Sequence, residues 1–566
     1  MRMWHRPIVA TLATFLVWIA AGRAATQSQD RQPAAPTVAP LTKAVWLGDR
    51  ARVKELLAAG EDPTKLDDQS YAPWMWAIIT RDTPSISLLL SEVRSIPATA
   101  YHMLPIAAGQ NNLTVVRLLL DRGVPADAPA TGGGRYSSLL IAASSGYVEL
   151  MTTLLDAGAN PNWRDQHGDT PLMAAVRIGS LPAVRLLLAR GATANVTDED
   201  GRTALTWAVR NPRADIVDTL RSRGERGESA ATRAVPLSAR AAAEKSLPVI
   251  ERSAATWLDK QTCFSCHHPP MALRVAAVAR ERGFAIDESN VRLQFLKTRG
   301  APGAPGAQRS LTSPEATLRG ALGNFGSSSF GNSVALSALV DFGAKRDDPD
   351  LQVVNISRQA LFLARMQLSD GSWRSGGPRV PIESNDFTAT ANAARALKAY
   401  GAPEDAAEMT ERVARARGWL LRNTTATTDE AVFRLLGMFW TNADPAQVRR
   451  QAETLKSEQN RDGGWSQLRA MNSDAYATGL VLVALHQSGL LPDTDERYQR
   501  GVRYLLSTQE ADGSWLVTKR AVPGAIPWFD TGFPHGKFQT ISYVGTTWAT
   551  MALMYAAPPS SARSLK

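Results

Sequence analysis

The chain has little cysteine and few long apolar segments. Only two of its 566 residues are cysteine, so no framework of disulfide bonds holds the fold together. Glycine and proline, at 41 and 33 residues, are used at ordinary frequencies, which excludes a collagen-like sequence. Hydrophobic residues make up 44% of the chain and charged residues 20%, which excludes a wholly disordered protein. A chain of this length is expected to form two or more domains.

The net charge of +10 does not mark a recognition surface. The arginines that carry most of the excess are spread along the chain, and they do not form a basic stripe interleaved with aromatic residues. Such a stripe is what a nucleic-acid-binding surface requires. We therefore predict no nucleic-acid partner and interpret the charge as a solvated surface.

One unbroken apolar run, residues 8–21, lies near the N-terminus between basic residues and a small-residue segment that ends at Ala24. This order is typical of a secretory signal peptide. The run has 14 residues, fewer than the roughly 20 that span a bilayer, although an uncleaved anchor is the alternative. We predict a signal peptide at 1–24, a linker at 25–39, and a periplasmic or secreted protein with no membrane association beyond the signal segment.

An alanine inside a short helical pattern recurs every 30 to 35 residues in the first half of the chain. These alanines are Ala44, Ala77, Ala107, Ala142, Ala175 and Ala208. The clearest unit begins at Thr170-Pro171 and ends at Gly191, where a left-handed helix cap is expected. The units resemble ankyrin repeats, six of them over residues 40–224, followed by a linker at 225–248. The resemblance implies a solenoid whose concave face binds a protein partner, with a structural spacer as the alternative.

A second repeat occupies the other half of the chain. In three segments a glutamine is followed six residues later by a tryptophan, with Asp-Gly between them: Gln367 and Trp373, Gln459 and Trp465, Gln509 and Trp515. We expect each glutamine to satisfy free groups at a neighbouring helix end and each tryptophan to pack beneath the next helix pair.

This pattern resembles the QW motif of squalene–hopene cyclases, over residues 249–560. The resemblance implies an all-α fold, in which two concentric rings of helices form an α/α toroid around a central cavity. An apolar or peptide ligand would occupy that cavity. The alternative is a different α/α solenoid with the same repeat.

The acidic motif of those cyclases, Asp-x-Asp-Asp-Thr-Ala, has a partial counterpart at residues 383–389. Asn385 stands where an acid is expected, and Phe387 is additional. Because an asparagine cannot donate the proton that cyclisation needs, Asp386 is the one catalytic candidate. We expect Asp386, like Asp474, to cap a helix instead. The sequence favours a binding protein, with a terpenoid-cyclase-type enzyme acting on an isoprenoid as the alternative.

Both cysteines fall in one motif, Cys263-x-x-Cys266-His267. This motif is typical of c-type haem attachment, because two thiols at this spacing reach the two vinyl groups of one haem and the adjacent histidine binds the iron. A disulfide or redox pair, a zinc site and no role at all remain the alternatives. His535, in a loop-like Phe-Pro-His-Gly segment, is the candidate for the distal iron ligand.

These patterns combine into one hypothesis. We predict an exported ankyrin module that binds a protein, fused to a toroid that carries haem c for electron transfer or redox sensing. A structural periplasmic scaffold is the second alternative to this reading, beside the enzyme.

Overall fold

In a computed structural model, the described part of the chain is helical, with turns between helices and no strand among the described residues. The described ranges are 39–67, 71–129, 136–210, 214–223, 238–260, 268–300, 327–375, 381–382, 385–469, 471–518 and 531–558. The predicted signal peptide lies outside them. Residues 40–566 form one compact unit. The all-α prediction is confirmed.

Six consecutive helix pairs form the first half of this unit, as the 33-residue repeat predicts. The pairs are α1 (Pro40–Leu47) with α2 (Arg50–Ala58), α3 (Pro73–Ile79) with α4 (Thr83–Ser91), α5 (Met103–Gly109) with α6 (Leu113–Asp121), α7 (Ser138–Ser145) with α8 (Val148–Asp156), α9 (Pro171–Arg177) with α10 (Leu181–Ala189), and α11 (Ala204–Arg210) with α12 (Ala214–Arg221). We call these pairs the array.

The local signals of the repeat act as expected. The Thr170 side chain accepts a hydrogen bond from the Met173 amide and caps α9, whose first residue is Pro171. The glycines that follow the second helices have φ between +80° and +88°, namely Gly60, Gly123, Gly158 and Gly191. This left-handed conformation is easy only for glycine, so these residues end the second helices.

The two helices of a pair are buried to different extents. Every residue of the first helices α3, α7 and α9 is buried. In the second helix α6, by contrast, only Val115, Val116 and Leu119 are buried. A helix that is buried on every side must be covered on the faces that its partner helix leaves open. Neighbouring first helices supply part of this cover, since α7 contacts both α5 and α9.

The second half of the unit is a ring of six helical hairpins. Its outer helices are α13 (Ala239–Lys260), α15 (Glu288–Arg299), α18 (Ile356–Arg365), α20 (Ala406–Arg422), α22 (Pro445–Ser457) and α24 (Glu496–Thr508). Its inner helices are α14 (His268–Arg282), α16 (Ser327–Asp341), α19 (Asp386–Tyr400), α21 (Thr428–Trp440), α23 (Ala475–Gln487) and α25 (Gln539–Ala556). A short helix, α17 (Pro349–Val353), lies between α16 and α18.

The inner helices close into a ring, because each contacts the next in chain order and α25 returns to α14. Small residues allow this close approach. A Cβ added at Gly479 would lie 2.5 Å from the Ala549 nitrogen, and one at Gly437 would lie 2.9 Å from the Ala391 Cβ. Because an outer helix separates each inner helix from the next, all six inner helices run in the same direction. Their N-terminal ends form one end of the toroid, which we call the mouth.

The QW glutamines join successive outer helices. The Gln367 side-chain amide donates to the Gly371 carbonyl of its own turn at 2.9 Å and to the Arg412 carbonyl of α20 at 2.8 Å. Gln459 makes the same pair of bonds to Gly463 and to Arg497 of α24, both at 2.8 Å. The glutamines do reach an adjacent helix, as expected, but their acceptors are the carbonyl of Arg412 inside α20 and that of Arg497 in the first turn of α24, not free groups at a helix end.

The tryptophan and glycine of the motif complete the same joint. Each tryptophan ring donates to a leucine carbonyl of its own outer helix, as Trp465 does to Leu455 at 2.7 Å. Its backbone amide donates to a threonine of an inner helix, as Trp465 does to Thr478 at 2.9 Å. A Cβ at Gly463, whose φ is +89°, would lie 2.5 Å from the Arg500 carbonyl oxygen. The turn therefore requires glycine.

The third QW motif closes the toroid on its first helix. Gln509 donates to the Ala242 carbonyl at 2.9 Å, and a Cβ at Gly513 would lie 2.5 Å from the Lys245 carbonyl oxygen. Ala242 and Lys245 belong to α13, which begins inside the segment 225–248 that the sequence assigns to a linker. The Ala-rich start of α13 has no QW motif before it, so the sequence alone does not mark it as the closing helix.

Candidate functional site

Inner helix α14 begins at the mouth with His268, directly after the segment that contains the cysteine motif. Cys263, Cys266 and His267 lie outside the described residues, between the end of outer helix α13 and the start of inner helix α14 at His268. His268 is 0% exposed. The first described residue after the segment is therefore buried at the mouth.

His268 is held between two aromatic rings. Its ring centroid lies 4.5 Å from that of Trp257 and 4.2 Å from that of Tyr543, with interplanar angles of 10° and 19°. The Tyr543 hydroxyl donates to the His268 carbonyl at 3.0 Å. Burial raises the pKa of the Tyr543 hydroxyl well above its usual value, so that this hydroxyl stays protonated and remains a donor. This stack joins α13, α14 and α25.

The partial counterpart of the cyclase acid motif lies at the N-terminus of inner helix α19. Asn385 is the N-cap, and its side-chain oxygen accepts from the Thr388 amide at 2.7 Å. Asp386 is the first residue of the helix, and its carboxylate accepts from the Ser375 amide at 2.9 Å. The expectation that Asp386 itself caps the helix is wrong by one residue. Asp474 does cap α23, by accepting from the Ala477 amide at 2.9 Å.

The structure adds an acidic residue that the sequence did not single out. The Asn385 amide donates to the carboxylate of Asp429 at 2.6 Å, and Asp429 is only 2% exposed. Asp429 lies in the first turn of α21, where a capping box of Thr427 and Glu430 begins the helix. In sequence Asp429 looks like an ordinary first-turn carboxylate. Only the ring geometry brings it against Asn385.

His535 precedes the last inner helix and is tied to the third QW turn. Its backbone has a φ of +82°. Its Nε2 lies 2.8 Å from the Ser514 hydroxyl oxygen, which donates to Asp512 at 2.6 Å. Because the hydroxyl proton is used toward Asp512, we assign Nε2 as the protonated nitrogen that donates to Ser514. A role as distal iron ligand stays a prediction, and through Nε2 it requires this bond to break.

A polar cluster also connects three inner helices deeper in the ring. Arg274 of α14 pairs with Asp341 of α16 at 3.1 Å and donates to Asn392 of α19 at 3.2 Å. Arg395 reaches the other oxygen of Asp341 at 2.6 Å. Burial lowers the pKa of Arg274, and Asp341 acts in the opposite direction. These residues satisfy one another, so the cluster fixes the register of the helices rather than forming an open site.

Three residues at the mouth of the toroid contact the array. Each lies between an outer helix and the inner helix that follows it. The first is Arg374, which precedes α19. A Cβ at Gly48 of the array would lie 3.5 Å from its Nη2. Burial lowers the pKa of Arg374, whereas the carboxylates of Asp386 in the toroid and Asp82 in the array act in the opposite direction. Arg374 is therefore an electrostatic bridge between the two parts.

The second residue is Asn472, which precedes α23. Its backbone amide donates to the Ile178 carbonyl at 3.3 Å, at the C-terminal end of array helix α9. A Cβ at Gly179 would lie 2.7 Å from the Asn472 side chain. The array and the toroid are therefore in close contact at this point.

The third residue is Phe538, which precedes α25. Its ring packs edge-to-face against Trp207 of the array, with centroids 6.1 Å apart. The buried guanidinium of Arg177 lies 5.4 Å from the Phe538 centroid and 5.3 Å from that of Trp207. Asp169 accepts from Arg177 at 2.8 Å, so this buried cation is both paired and stacked.

Among the described residues, no group of three or more histidine, cysteine, aspartate or glutamate side chains could hold a metal ion. Within the same residues, no helix has both the length and the apolar character to cross a membrane. The cysteine motif and the N-terminal apolar run lie outside the described residues.

Comparison with known proteins finds a family match in part of each half of the compact unit. Residues 139–229 match ankyrin repeats (3 copies), and residues 399–565 match the squalene-hopene cyclase C-terminal domain. A stretch of 73 residues is 40% identical to the inactive serine/threonine-protein kinase TEX14 of Mus musculus, and it covers 13% of this chain and 5% of that protein. The chain therefore carries ankyrin repeats, which suggest protein binding, and a squalene-hopene cyclase C-terminal domain.

Proposed function

We propose that the chain is an exported redox protein that carries a covalent haem c on Cys263 and Cys266 and binds a protein partner through its ankyrin array. The observation that carries the proposal is the use of both cysteines in one Cys-x-x-Cys-His motif. The N-terminal apolar run, with its basic start and small-residue end, supports export. Haem c attachment takes place outside the cytoplasm, which agrees with that route.

The donor set fits haem c. Two thiols would form the covalent links, and the His267 imidazole would bind the iron from one side. When bound, the haem supplies one-electron transfer. The protein's own described residues provide the support, since the His268 stack with Trp257 and Tyr543 anchors the exit of the motif to α13 and α25. Its buried rings would keep water from that side of the group.

The acid position of the toroid argues for binding rather than cyclisation. Asn385 caps α19 and donates to Asp429, so the residue at the position of the cyclase acid is a hydrogen-bonding amide. Asp386 accepts a backbone hydrogen bond at the entrance of the same helix. Protonation of an alkene requires a strong carboxylic acid, whereas Asn385 is an amide and the Asp386 side chain is engaged by the Ser375 amide.

The test is the absorption spectrum of the full chain, exported in a host that is competent in haem c maturation. The wild type should show a Soret band that stays with the protein through acid–acetone extraction. Cys263→Ser and Cys266→Ser should lower or abolish that band, whereas Ser265→Ala, between the two cysteines, should leave it unchanged. A colourless wild-type protein from such a host would overturn the haem proposal.

A terpenoid-cyclase-type enzyme is the second candidate, and one observation favours it. Asp429 is a buried carboxylate at the mouth, next to the position of the missing acid. The enzyme predicts turnover of squalene-like substrates that Asp429→Asn or Asp386→Asn abolishes. Absence of turnover in the wild type would remove this candidate and leave the haem proposal untouched. A pure scaffold would show neither turnover nor colour.

A further inference from the structure

We infer that the ankyrin array is a displaceable cap on the mouth of the toroid, so that a single opening exposes both the first helices of the array and the mouth. The array is the part of the molecule expected to meet a protein. In this structure its first, fifth and sixth helix pairs already contact the mouth. A protein that binds the array at those contacts must therefore displace the toroid of the same chain.

The placement of the contacts carries the first step. Asn472 and Phe538 stand directly before two inner helices, Arg374 lies in the connection that leads to a third, and all three contact the array. Their array partners near Gly48, Ile178 and Trp207 belong to the first, fifth and sixth helix pairs. The contacts thus extend from the beginning to the end of the array, and the mouth is spanned rather than touched at one edge.

Helix polarity carries the second step. The inner helices present their N-terminal ends at the mouth, which carry partial positive charge. The array presents the C-terminal ends of first helices, which carry partial negative charge, and Ile178 is such an end. The Asn472 amide donates to the free Ile178 carbonyl, so one of the carbonyls that a helix end leaves unpaired is satisfied across the interface.

The character of the contacts makes the cap displaceable. No described helix of the array lies along a described helix of the toroid as the inner helices lie along one another. The contacts are instead a guanidinium beside the Gly48 turn, a backbone hydrogen bond and an edge-to-face ring pair. Such polar, loop-based interfaces within a chain permit relative movement of the parts. The covalent connection keeps redocking intramolecular and therefore efficient.

The experiment uses the full chain and hydrogen exchange followed by mass spectrometry. Gly179→Ala places a methyl group against the Asn472 side chain and should undock the array. We expect exchange to become at least tenfold faster both in first helices α7 and α9 and in the first turns of inner helices α19 and α23. Gly191→Ala is the matched control. Gly191 has φ +87° in the same repeat, and an added Cβ meets nothing within 4 Å. It should affect only its own turn.

A rescue separates the interface from simple strain. Asn472→Ala removes the atoms that the new methyl group meets, so in the Gly179→Ala background it should restore slow exchange on both sides. A charge reversal tests the contact at the first helix pair of the array. Arg374→Glu should speed hydrogen exchange in the same helices, whereas Arg461→Glu, at an exposed arginine, should not. Faster exchange in the fifth repeat alone, with the mouth still protected, would overturn the inference. So would failure of Asn472→Ala to restore protection. None of these readouts depends on haem.

Discussion

At the scale of single residues, the QW glycines are the positions with the least freedom. Gly463 combines a φ of +89° with backbone contact, since its missing Cβ would lie 2.5 Å from the Arg500 carbonyl oxygen. Gly489 has a φ of +71° and open space around it. The two glycines therefore separate backbone strain from steric overlap.

Gly463→Ala should destabilise the protein more than Gly489→Ala. The control carries only left-handed strain, about 1 kcal/mol, whereas Gly463→Ala adds an overlap that costs about 1–3 kcal/mol more. Denaturant unfolding of both variants, compared at the midpoint, measures the difference. Equal midpoints for the two variants would show that the close approach of this turn to α24 contributes nothing.

The Asn385–Asp429 pair gives a second residue-scale prediction. Asn385→Asp keeps the helix cap, since aspartate caps as well as asparagine, but it places two carboxylates side by side in a buried position. One of the two carboxyl groups should then have a raised pKa. With a folded pKa above the unfolded value near 4, the folded state holds the extra proton, so stability is present at low pH and is lost as pH rises through the folded pKa.

The measurement is the difference in unfolding midpoint between Asn385→Asp and wild type at about pH 4 and at pH 7, on either side of the ordinary carboxyl range. The deficit of the variant should be larger at pH 7. Asn385→Ser is the control, because it keeps a capping oxygen without a charge. A deficit that does not change with pH would mean that the two side chains do not interact as a buried pair.

At the scale of elements, the sequence predicts the repeats well and their connections poorly. The sequence has apolar runs typical of helices at 386–400, 429–440, 474–486 and 541–556, and these agree with α19, α21, α23 and α25 to within two residues at each end. The start of α13 falls inside the predicted linker, because the partner that fixes it, Gln509, lies more than 260 residues away along the chain. Spacing reveals a repeated unit, but it does not reveal which helix closes the ring.

The QW glutamines provide an element-scale prediction in which each substitution serves as a control for the other. Gln509→Leu should speed hydrogen exchange in α13, whose Ala242 carbonyl it no longer reaches, and leave α24 protected. Gln459→Leu should do the reverse, because its acceptor is Arg497 of α24. The loss of one or two buried hydrogen bonds corresponds to about 1–3 kcal/mol. Identical exchange patterns in the two variants would contradict a joint between specific helix pairs.

At the scale of the whole molecule, the sequence predicts the array and the toroid separately, but it does not predict the contact between them. The repeat resemblance predicts an array whose concave face binds a protein, whereas in the structure the first, fifth and sixth helix pairs of the array contact the mouth of the toroid. The toroid residues responsible, Arg374, Asn472 and Phe538, lie between its outer and inner helices. The sequence does not single out Asp429 either, because its partner, Asn385, belongs to another hairpin of the ring.

In sequence, the cysteine motif lies between outer helix α13 and inner helix α14, directly before His268, whose ring stacks on Trp257 and Tyr543. The haem that we propose would be attached to this motif. Displacement of the array would open the end of the toroid at which α14 begins, which links the proposed redox role to the proposed cap.

The most direct test of the proposed function is the intact mass of the full-length product, exported in a host competent in haem c maturation. The account predicts a chain that begins at Ala25, as cleavage of the predicted signal peptide after Ala24 would leave it, and that carries the added mass of one haem. The same product from Cys263→Ser with Cys266→Ser should have the same N-terminus and no added mass. A wild-type mass equal to that of the unmodified polypeptide would contradict the account.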